Sequence, residues 1–179
     1  MKCIYYLSPN LVSTHKISDD LHDTGVDDWF IHIISKNEAG ISREQLHSSN
    51  YIETLDLIRE GILGALIGFS VGLIACLILN ITQPFGTEMT PLAYIGVLIL
   101  TTGFGTWVGG MDGMAHSNKK LLPFKDAIDS GKYLILIYAK KQQEEKVIQM
   151  MKDAHPEATL AGVDPGFYNP FSRLELVDI

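Results

Sequence analysis

Two long stretches of the chain are hydrophobic and carry no charged residue. Residues 61–87 and 89–111 contain no Asp, Glu, Lys or Arg, which gives uncharged runs of 27 and 23 residues on either side of Glu88. A helix of about 20 apolar residues crosses the hydrocarbon core of a bilayer. Helices buried inside soluble proteins seldom run this far without a charge. The sequence therefore predicts two membrane spans, at about 61–80 and 92–114.

The connection between the spans is short and contains Pro84 and Pro91, so the spans are expected to form an antiparallel hairpin. This connection has no Lys or Arg, whereas Arg59 and Lys119 lie just beyond the other two ends of the spans. By the positive-inside rule both termini are cytoplasmic, and the acidic start of the chain predicts no signal peptide. The expected localisation is the bacterial inner (cytoplasmic) membrane, as a multi-pass protein.

The chain before the spans predicts a strand–helix–strand unit. Residues 3–7 and 29–35 are short runs rich in β-branched and aromatic side chains, as in strands. Between them a helix is expected to begin at Ser13 or Thr14 and to stop at Gly25. The inner side of this helix carries Ile17, Leu21 and Val26.

The chain after the spans repeats this arrangement. Residues 133–139 and 159–163 predict strands, and residues 142–154 predict the helix between them. Two such units are the components of a ferredoxin-like fold, in which the second and third strands are antiparallel neighbours. The predicted fold class is therefore α+β, with a cytoplasmic ferredoxin-like βαβ–βαβ domain that carries an inserted two-helix transmembrane hairpin.

The predicted domain boundaries follow the order of these elements. A capping pair at Asn50 and Glu53 opens a helix that is expected to run directly into the first span. The C-terminal tail, which contains three aromatic residues, is expected to dock on the domain or on a neighbouring subunit. The expected segments are residues 1–36 (first half of the domain), 37–60 (linker helix), 61–114 (hairpin), 115–130 (return linker), 131–165 (second half) and 166–179 (tail).

Glycines recur at helical spacing in both spans. One series, spaced mostly four residues apart, comprises Gly61, Gly64, Gly68 and Gly72 in the first span and Gly105, Gly109 and Gly113 in the second. Another series, spaced seven apart, comprises Gly96, Gly103 and Gly110. Gly110 lies about 140° around the helix from Gly105. Small residues let helix backbones approach closely, so two such faces predict two packing partners, the other span and a helix of another subunit. The alternative is that all these glycines serve the hairpin alone.

Ionisable residues at the cytoplasmic end of the spans are the candidate functional residues. Asp112 and His116 are four residues apart on the second span, and Glu60 lies at the matching depth of the first. In a symmetric oligomer, either acid would form a ring of carboxylates at the mouth of a cation path. Asp112 and His116 also have the spacing to hold a divalent metal, although two ligands do not complete a site. The alternative is an Arg59–Asp112 ion pair that fixes the hairpin at the headgroup level.

Composition narrows the function further. The chain is 46% apolar and 20% charged, and its net charge of −7 argues against nucleic-acid binding. With only two cysteines, Cys3 and Cys76, it is not a disulfide framework. No Ser–His–Asp or Cys–His set has catalytic spacing, so neither an enzyme nor a cofactor is expected. The expected partners are membrane lipid, further copies of the chain and an unknown cytoplasmic partner.

Four segments of the chain resemble an uncharacterised family of bacterial inner-membrane proteins. They are YYLSPN at residues 5–10, GVDDWFIHIIS at 25–35, REQLHSSNY at 43–51 and GFGTWVGGMDGMA at 103–115. The resemblance implies a domain of the general-stress-protein type, a split ferredoxin-like fold, with a glycine-rich membrane hairpin. Some members carry the label of magnesium transporter, and Asp112 is the intramembrane acid that could serve such a function here.

These observations lead to two hypotheses of function. In the first, the protein is a homo-oligomeric channel or transporter for a cation, such as a divalent metal, with Asp112 and Glu60 at its inner mouth. In the second, the hairpin is only an anchor for a non-transporting scaffold or stress-response protein. The cytoplasmic domain would then bind a protein partner or a small effector.

Overall fold

The computed structural model describes residues 1–84, 86, 89–166 and 169–177. Part of the predicted connection (Phe85, Thr87 and Glu88) and part of the predicted tail (Phe167, Tyr168, Asp178 and Ile179) lie outside the described residues. The elements in chain order are β1 (Lys2–Ser8), α1 (Leu11–Asp23), β2 (Ile31–Ile34), α2 (Glu38–Arg43), α3 (Tyr51–Thr54), α4 (Leu57–Thr82), α5 (Pro91–Ala115), α6 (Lys125–Asp129), β3 (Tyr133–Ala139), α7 (Glu144–Ala154), β4 (Thr159–Asp164) and β5 (Glu175–Leu176).

The chain divides into two compact units. One is built from Met1–Asn50 together with Lys120–Ile179, and the other from Tyr51–Lys119. The first unit contains a five-stranded antiparallel sheet with its helices, and the second contains the two long apolar helices α4 and α5. The α+β class predicted from the sequence is therefore confirmed.

The sheet has the strand order β2-β3-β1-β4-β5, and every pair is antiparallel. β1 lies at its centre, paired with β3 along its whole length and with β4 across an irregularity between Tyr5 and Tyr6. This central position explains why all residues from Cys3 to Ser8 are buried. Burial raises the pKa of the Tyr6 phenol to about 12, so the side chain stays neutral inside the core.

Helices α1 and α7 contribute to the core on one face of the sheet. Ile17 and Leu21 of α1 and Val147 and Met151 of α7 are almost completely buried there. The predicted inner positions Ile17 and Leu21 are thus confirmed, whereas Val26 is buried in the same cluster but follows the end of α1. The helix begins earlier than predicted because the side chain of Asn10, rather than that of Ser13 or Thr14, caps it by accepting a hydrogen bond from a main-chain N–H in the first turn.

The opposite face of the sheet is covered by the segment that follows α5. Leu121 and Phe124 are buried in a second hydrophobic cluster, and the ring of Phe124 stacks on that of Tyr5 with centroids 5.4 Å apart. Leu174 of the tail packs against the same cluster. The residues predicted as a return linker therefore form part of the core.

The structure corrects several predicted boundaries. Residues 28–30 form a single turn of 3-10 helix before β2, and Trp29, predicted to lie in the strand, is 76% exposed. The helix predicted to run into the first span is interrupted, because α3 ends at Thr54 and α4 begins at Leu57. The tail docks on its own domain, where Glu175–Leu176 pair with β4.

Candidate functional site

Two helices, α4 and α5, are long and apolar enough to span a membrane, with 26 and 25 residues respectively. α4 ends at Thr82, because the next residue, Gln83, has a left-handed backbone (φ 40°) that breaks the helical run. α5 begins with Pro91, a residue suited to the first helical position because it has no N–H to leave unsatisfied. We refer to the packed pair of helices α4 and α5 as the hairpin.

The two helices are in backbone contact along a line of glycines. A Cβ atom added at Gly64 would collide with the carbonyl oxygen of Gly105, and one added at Gly105 would collide with the carbonyl oxygen of Gly64. Gly68 and Gly109 are equally tight, against the carbonyl oxygens of Thr101 and Glu60. We call Gly64, Gly68, Gly105 and Gly109 the glycine seam. Two further predicted packing glycines extend it, Gly72 against the Thr101 side chain and Gly113 against the main chain of Asp56, whereas Gly61 has more room.

The other glycines of α5 lie on a different face. Added Cβ atoms at Gly96, Gly103 and Gly110 would have no atom within 4 Å among the residues that the structure describes. We call these three residues the outer glycine face. Large exposed side chains from the same helix, Leu100, Phe104 and Trp107, are close to them in sequence. One helix thus carries six glycines with two different environments.

The hairpin is also held by polar contacts near its connection. The Tyr94 hydroxyl of α5 donates a hydrogen bond to the Asn80 side chain of α4 over 3.3 Å. The Cys76 thiol lies 3.7 Å from the carbonyl oxygen of Tyr94 and donates to it. No local pattern in the sequence predicts these contacts, because their partners are 14 and 18 residues apart along the chain.

Charged side chains cluster where α4 begins. Arg59 contacts the carboxylates of Asp56 and Glu60 at 3.3 and 3.2 Å. Lys119 contacts the same two carboxylates at 3.8 and 3.2 Å. We call Asp56, Arg59, Glu60 and Lys119 the charged end of the hairpin. Its two acids and two cations balance, so the charge of Glu60, a predicted cation ligand, is already compensated by the cations that it shares with Asp56.

Main-chain hydrogen bonds close the hairpin beside this cluster. The N–H of Asp56 donates to the carbonyl of His116 over 3.1 Å, and the N–H of Asn118 donates to the carbonyl of Thr54 over 2.8 Å. An antiparallel bridge joins Leu55 to Ser117 between these bonds. The chain entering α4 is therefore paired with the chain leaving α5.

Asp112 and His116 lie together on the exposed side of α5. The carboxylate of Asp112 is 3.6 Å from Nδ1 of His116, and the two side chains are 59% and 61% exposed. The Nδ1 atom also lies 2.8 Å from the main-chain oxygen of Asp112. Among the described ion pairs Asp112 is matched with His116, whereas Arg59 is matched with acids of its own helix. The alternative Arg59–Asp112 pair is thus not the arrangement found.

These two side chains do not make a complete metal site by themselves. In the part of the chain that the structure describes, no group of three or more His, Cys, Asp or Glu side chains is arranged to hold a metal ion. Asp112 and His116 supply at most two ligands, so additional ligands would have to come from water or from another copy of the chain. Any cation binding at this position therefore depends on assembly or on hydration.

Comparison of the chain with protein-family models, with curated proteins and with solved structures finds no match.

Proposed function

We propose that the chain is a homo-oligomeric protein of the bacterial inner membrane, in which copies associate through the outer glycine face of α5 and enclose a cation path. The observation that carries this proposal is the difference between the two glycine series. The glycines of the seam are all in close contact with the other helix of the hairpin, whereas Gly96, Gly103 and Gly110 have open space around them. Small residues on a membrane helix allow close approach of a further helix.

The exposed surface of the hairpin supports a membrane location. Large apolar side chains such as Leu66, Ile67, Leu100 and Phe104 are each more than half exposed. A core helix of a soluble protein would bury such side chains, and apolar patches of this extent are rare on soluble monomers. The distribution of Lys and Arg supports cytoplasmic termini, because Arg59 and Lys119 flank the ends of the hairpin that are remote from its connection.

The domain is proposed to be ferredoxin-like, interrupted by the hairpin between β2 and β3. The antiparallel order β2-β3-β1-β4, with α1 between β1 and β2 and α7 between β3 and β4, supports this arrangement. The glycine-rich hairpin and the α+β domain are also the two parts that the resemblance to the inner-membrane family implies. Membership of that family is part of the proposal.

The cation path is proposed to open at Asp112. Its carboxylate is mostly exposed and shares its surroundings with His116, whereas the carboxylate of Glu60 is held by Arg59 and Lys119. At 100° per residue, Asp112 lies about 200° around the helix from Gly110. The acid therefore faces away from the helix face proposed for self-association, and a ring of subunits can direct it towards a central space.

The association surface is tested by changing the outer glycine face alone. We expect Gly103→Leu to convert the detergent-extracted oligomer to smaller species, because a bulky side chain blocks the close approach of a second helix. Native mass spectrometry measures the subunit count. As a matched control, Val108→Leu also enlarges an exposed side chain of α5 and should retain the oligomer. An unchanged subunit count in Gly103→Leu would contradict association through this face.

Cation flux is tested at the exposed acid. We expect the wild-type protein in liposomes to pass Mg²⁺, detected by an enclosed fluorescent indicator, and Asp112→Asn to reduce the initial rate by at least about tenfold, because the ring loses its charge. The subunit count of the variant serves as the control. Equal rates in the wild type, Asp112→Asn and protein-free liposomes would contradict a cation path.

One observation favours the alternative of a membrane-anchored scaffold. The two acids and two cations of the charged end balance, and the side chain of Asp56 is only 5% exposed. The acids of this cluster therefore already have counter-charges and need no transported ion. A hairpin that serves as an anchor needs no more than this. The flux experiment separates the two functions, because the scaffold predicts no protein-dependent flux while the oligomer persists.

A further inference from the structure

An open cavity lies on the sheet-containing unit, between the first turns of α1 and the residue that follows α2. Its volume is about 290 Å³. Cavities for drug-sized ligands measure about 300–1,000 Å³, so this one suits a smaller molecule. We call it the α1 cavity. The residues that line it all belong to the first unit, and they are Leu11, Val12, His15, Lys16, Asp19 and Glu44.

Part of the wall of the α1 cavity is aliphatic. Leu11 is partly buried and packs against the hydrophobic core on the helical face of the sheet. Val12, the next residue, is 81% exposed, the largest fraction among the large apolar side chains that the structure describes. A ligand that covers these two side chains removes apolar surface from water, which favours binding.

Two opposite charges lie beside this aliphatic surface. Val12, Lys16 and Asp19 follow one another at spacings of four and three residues, so they share one face of α1. The side chains of Lys16 and Asp19 are exposed, and neither makes an ion pair or a hydrogen bond with another described side chain. Glu44, in contrast, lies 3.7 Å from Nδ1 of His15. The cavity therefore offers one cation and one anion that other side chains do not already hold.

The chemistry of these groups selects a small zwitterion. An ammonium group only donates hydrogen bonds and a carboxylate only accepts them. Lys16 therefore pairs with the carboxylate of a ligand, and Asp19 pairs with its ammonium group. Side chains three residues apart on a helix have Cβ atoms about 5–6 Å apart, a separation that suits two charges carried by the same carbon atom.

We propose that the α1 cavity binds a free α-amino acid with an apolar side chain. Lys16 holds the carboxylate, Asp19 holds the ammonium group, and Leu11 and Val12 contact the side chain of the ligand. This proposal gives a chemical class to the small effector that the second hypothesis of function assigns to the domain. It concerns the first unit alone, so its failure would leave the tests of oligomerisation and cation flux unaffected.

Isothermal titration calorimetry of the full chain in detergent tests the ligand class, with protein-free micelles as the baseline. We expect saturable binding of L-leucine, L-valine and L-methionine. Glycine keeps both charges but leaves Leu11 and Val12 uncovered, so it should bind at least about tenfold more weakly than L-leucine. The analogues 4-methylpentanoate and 3-methylbutylamine keep the apolar part of leucine and one charge each, and they should bind at least about fivefold more weakly. An analogue that binds as tightly as L-leucine would contradict recognition of a zwitterion.

Substitutions of the two charged residues test the position of the site. We expect Lys16→Met and Asp19→Asn each to weaken the binding of L-leucine by at least about fivefold, because each removes one of the two charge pairs. The matched controls are Lys146→Met, on the exposed surface of α7, and Asp23→Asn, at the end of α1 and outside the cavity. Both controls should retain the affinity of the wild type. No saturable binding of the three amino acids, or an unchanged affinity in either cavity variant, would overturn the proposal.

Discussion

Replacing Gly105 by alanine is expected to destabilise the hairpin, whereas the same replacement at Gly103, two residues away on α5, is expected to leave it intact or more stable. A Cβ atom at position 105 would overlap the carbonyl oxygen of Gly64 and the main chain of Gly68, and neither of these backbone groups can move without separating the helices. A Cβ atom at position 103 meets no described atom within 4 Å.

Comparing Gly103→Ala with Gly105→Ala separates the cost of close packing from the gain in helix propensity. Alanine favours an exposed helical position over glycine by about 1 kcal/mol, and this gain is available to both variants. Overpacking costs about 1–3 kcal/mol, or more where backbone must shift, and only Gly105→Ala incurs it. We therefore expect opposite signs, with a loss of about 2 kcal/mol in the unfolding free energy for Gly105→Ala. Unfolding in mixed micelles with increasing dodecyl sulfate, followed by circular dichroism, measures the difference.

The opposing helix provides an independent check. Gly64→Ala introduces a side chain into the same contact from α4, so it should destabilise the hairpin as Gly105→Ala does. Once the helices have separated for one variant, the second costs less, and the double variant should lose less than the sum of the two. Equal losses in Gly103→Ala and Gly105→Ala would instead show that the glycines act through something other than this contact.

The parts of the fold that could be predicted are those that produce a local pattern of hydrophobic residues in the sequence. The strand predicted at 133–139 matches β3, because its uninterrupted apolar run reflects burial on both faces of the sheet. The spans predicted at 61–80 and 92–114 lie within α4 and α5, because long uncharged runs leave little choice of structure. The strand predicted at 29–35 was too long, since Trp29 has strand-forming character but lies, largely exposed, in the turn of 3-10 helix before β2.

The parts that could not be predicted depend on contacts between distant residues. Leu121 and Phe124 form too short an apolar pattern to identify a core segment, and their burial follows from the sheet face that they cover. The pairing of Glu60 with Lys119 likewise needs the two ends of the hairpin to meet. The spacing of the glycines predicts two separate faces on α5, but it does not indicate which of the two series contacts α4.

Among single substitutions in the sheet-containing unit, the largest loss of unfolding free energy is expected at a buried ion pair that contacts the tail. Lys120 Nζ lies 2.6 Å from a carboxylate oxygen of Asp164, whose side chain is completely buried. The other oxygen of Asp164 accepts hydrogen bonds from the Ser172 hydroxyl and the N–H of Gly166, at 2.8 and 3.0 Å. Lys120 also donates to the carbonyl of Asn169 over 3.0 Å. The described residues of the tail that contact Asp164 and Lys120 are thus arranged around one buried carboxylate.

Lys120→Met is therefore expected to lower the unfolding free energy by about 3–5 kcal/mol, because it leaves a buried carboxylate without a counter-charge. Methionine keeps the length and apolar stem of lysine, so that the change tests charge rather than volume. Adding Asp164→Asn should recover a large part of the loss, since the amide removes the uncompensated charge and can still bond to Ser172. Thermal and chemical unfolding of the full chain in detergent, followed by circular dichroism, measures the free energies for the double-mutant cycle.

Lys146→Met, on the exposed surface of α7, is the control and should change the free energy of unfolding by no more than about 0.5 kcal/mol. A double variant no more stable than Lys120→Met would mean that the loss does not come from the uncompensated charge of Asp164, and Lys120 would then act through its hydrogen bonds to the tail, such as that to the carbonyl of Asn169.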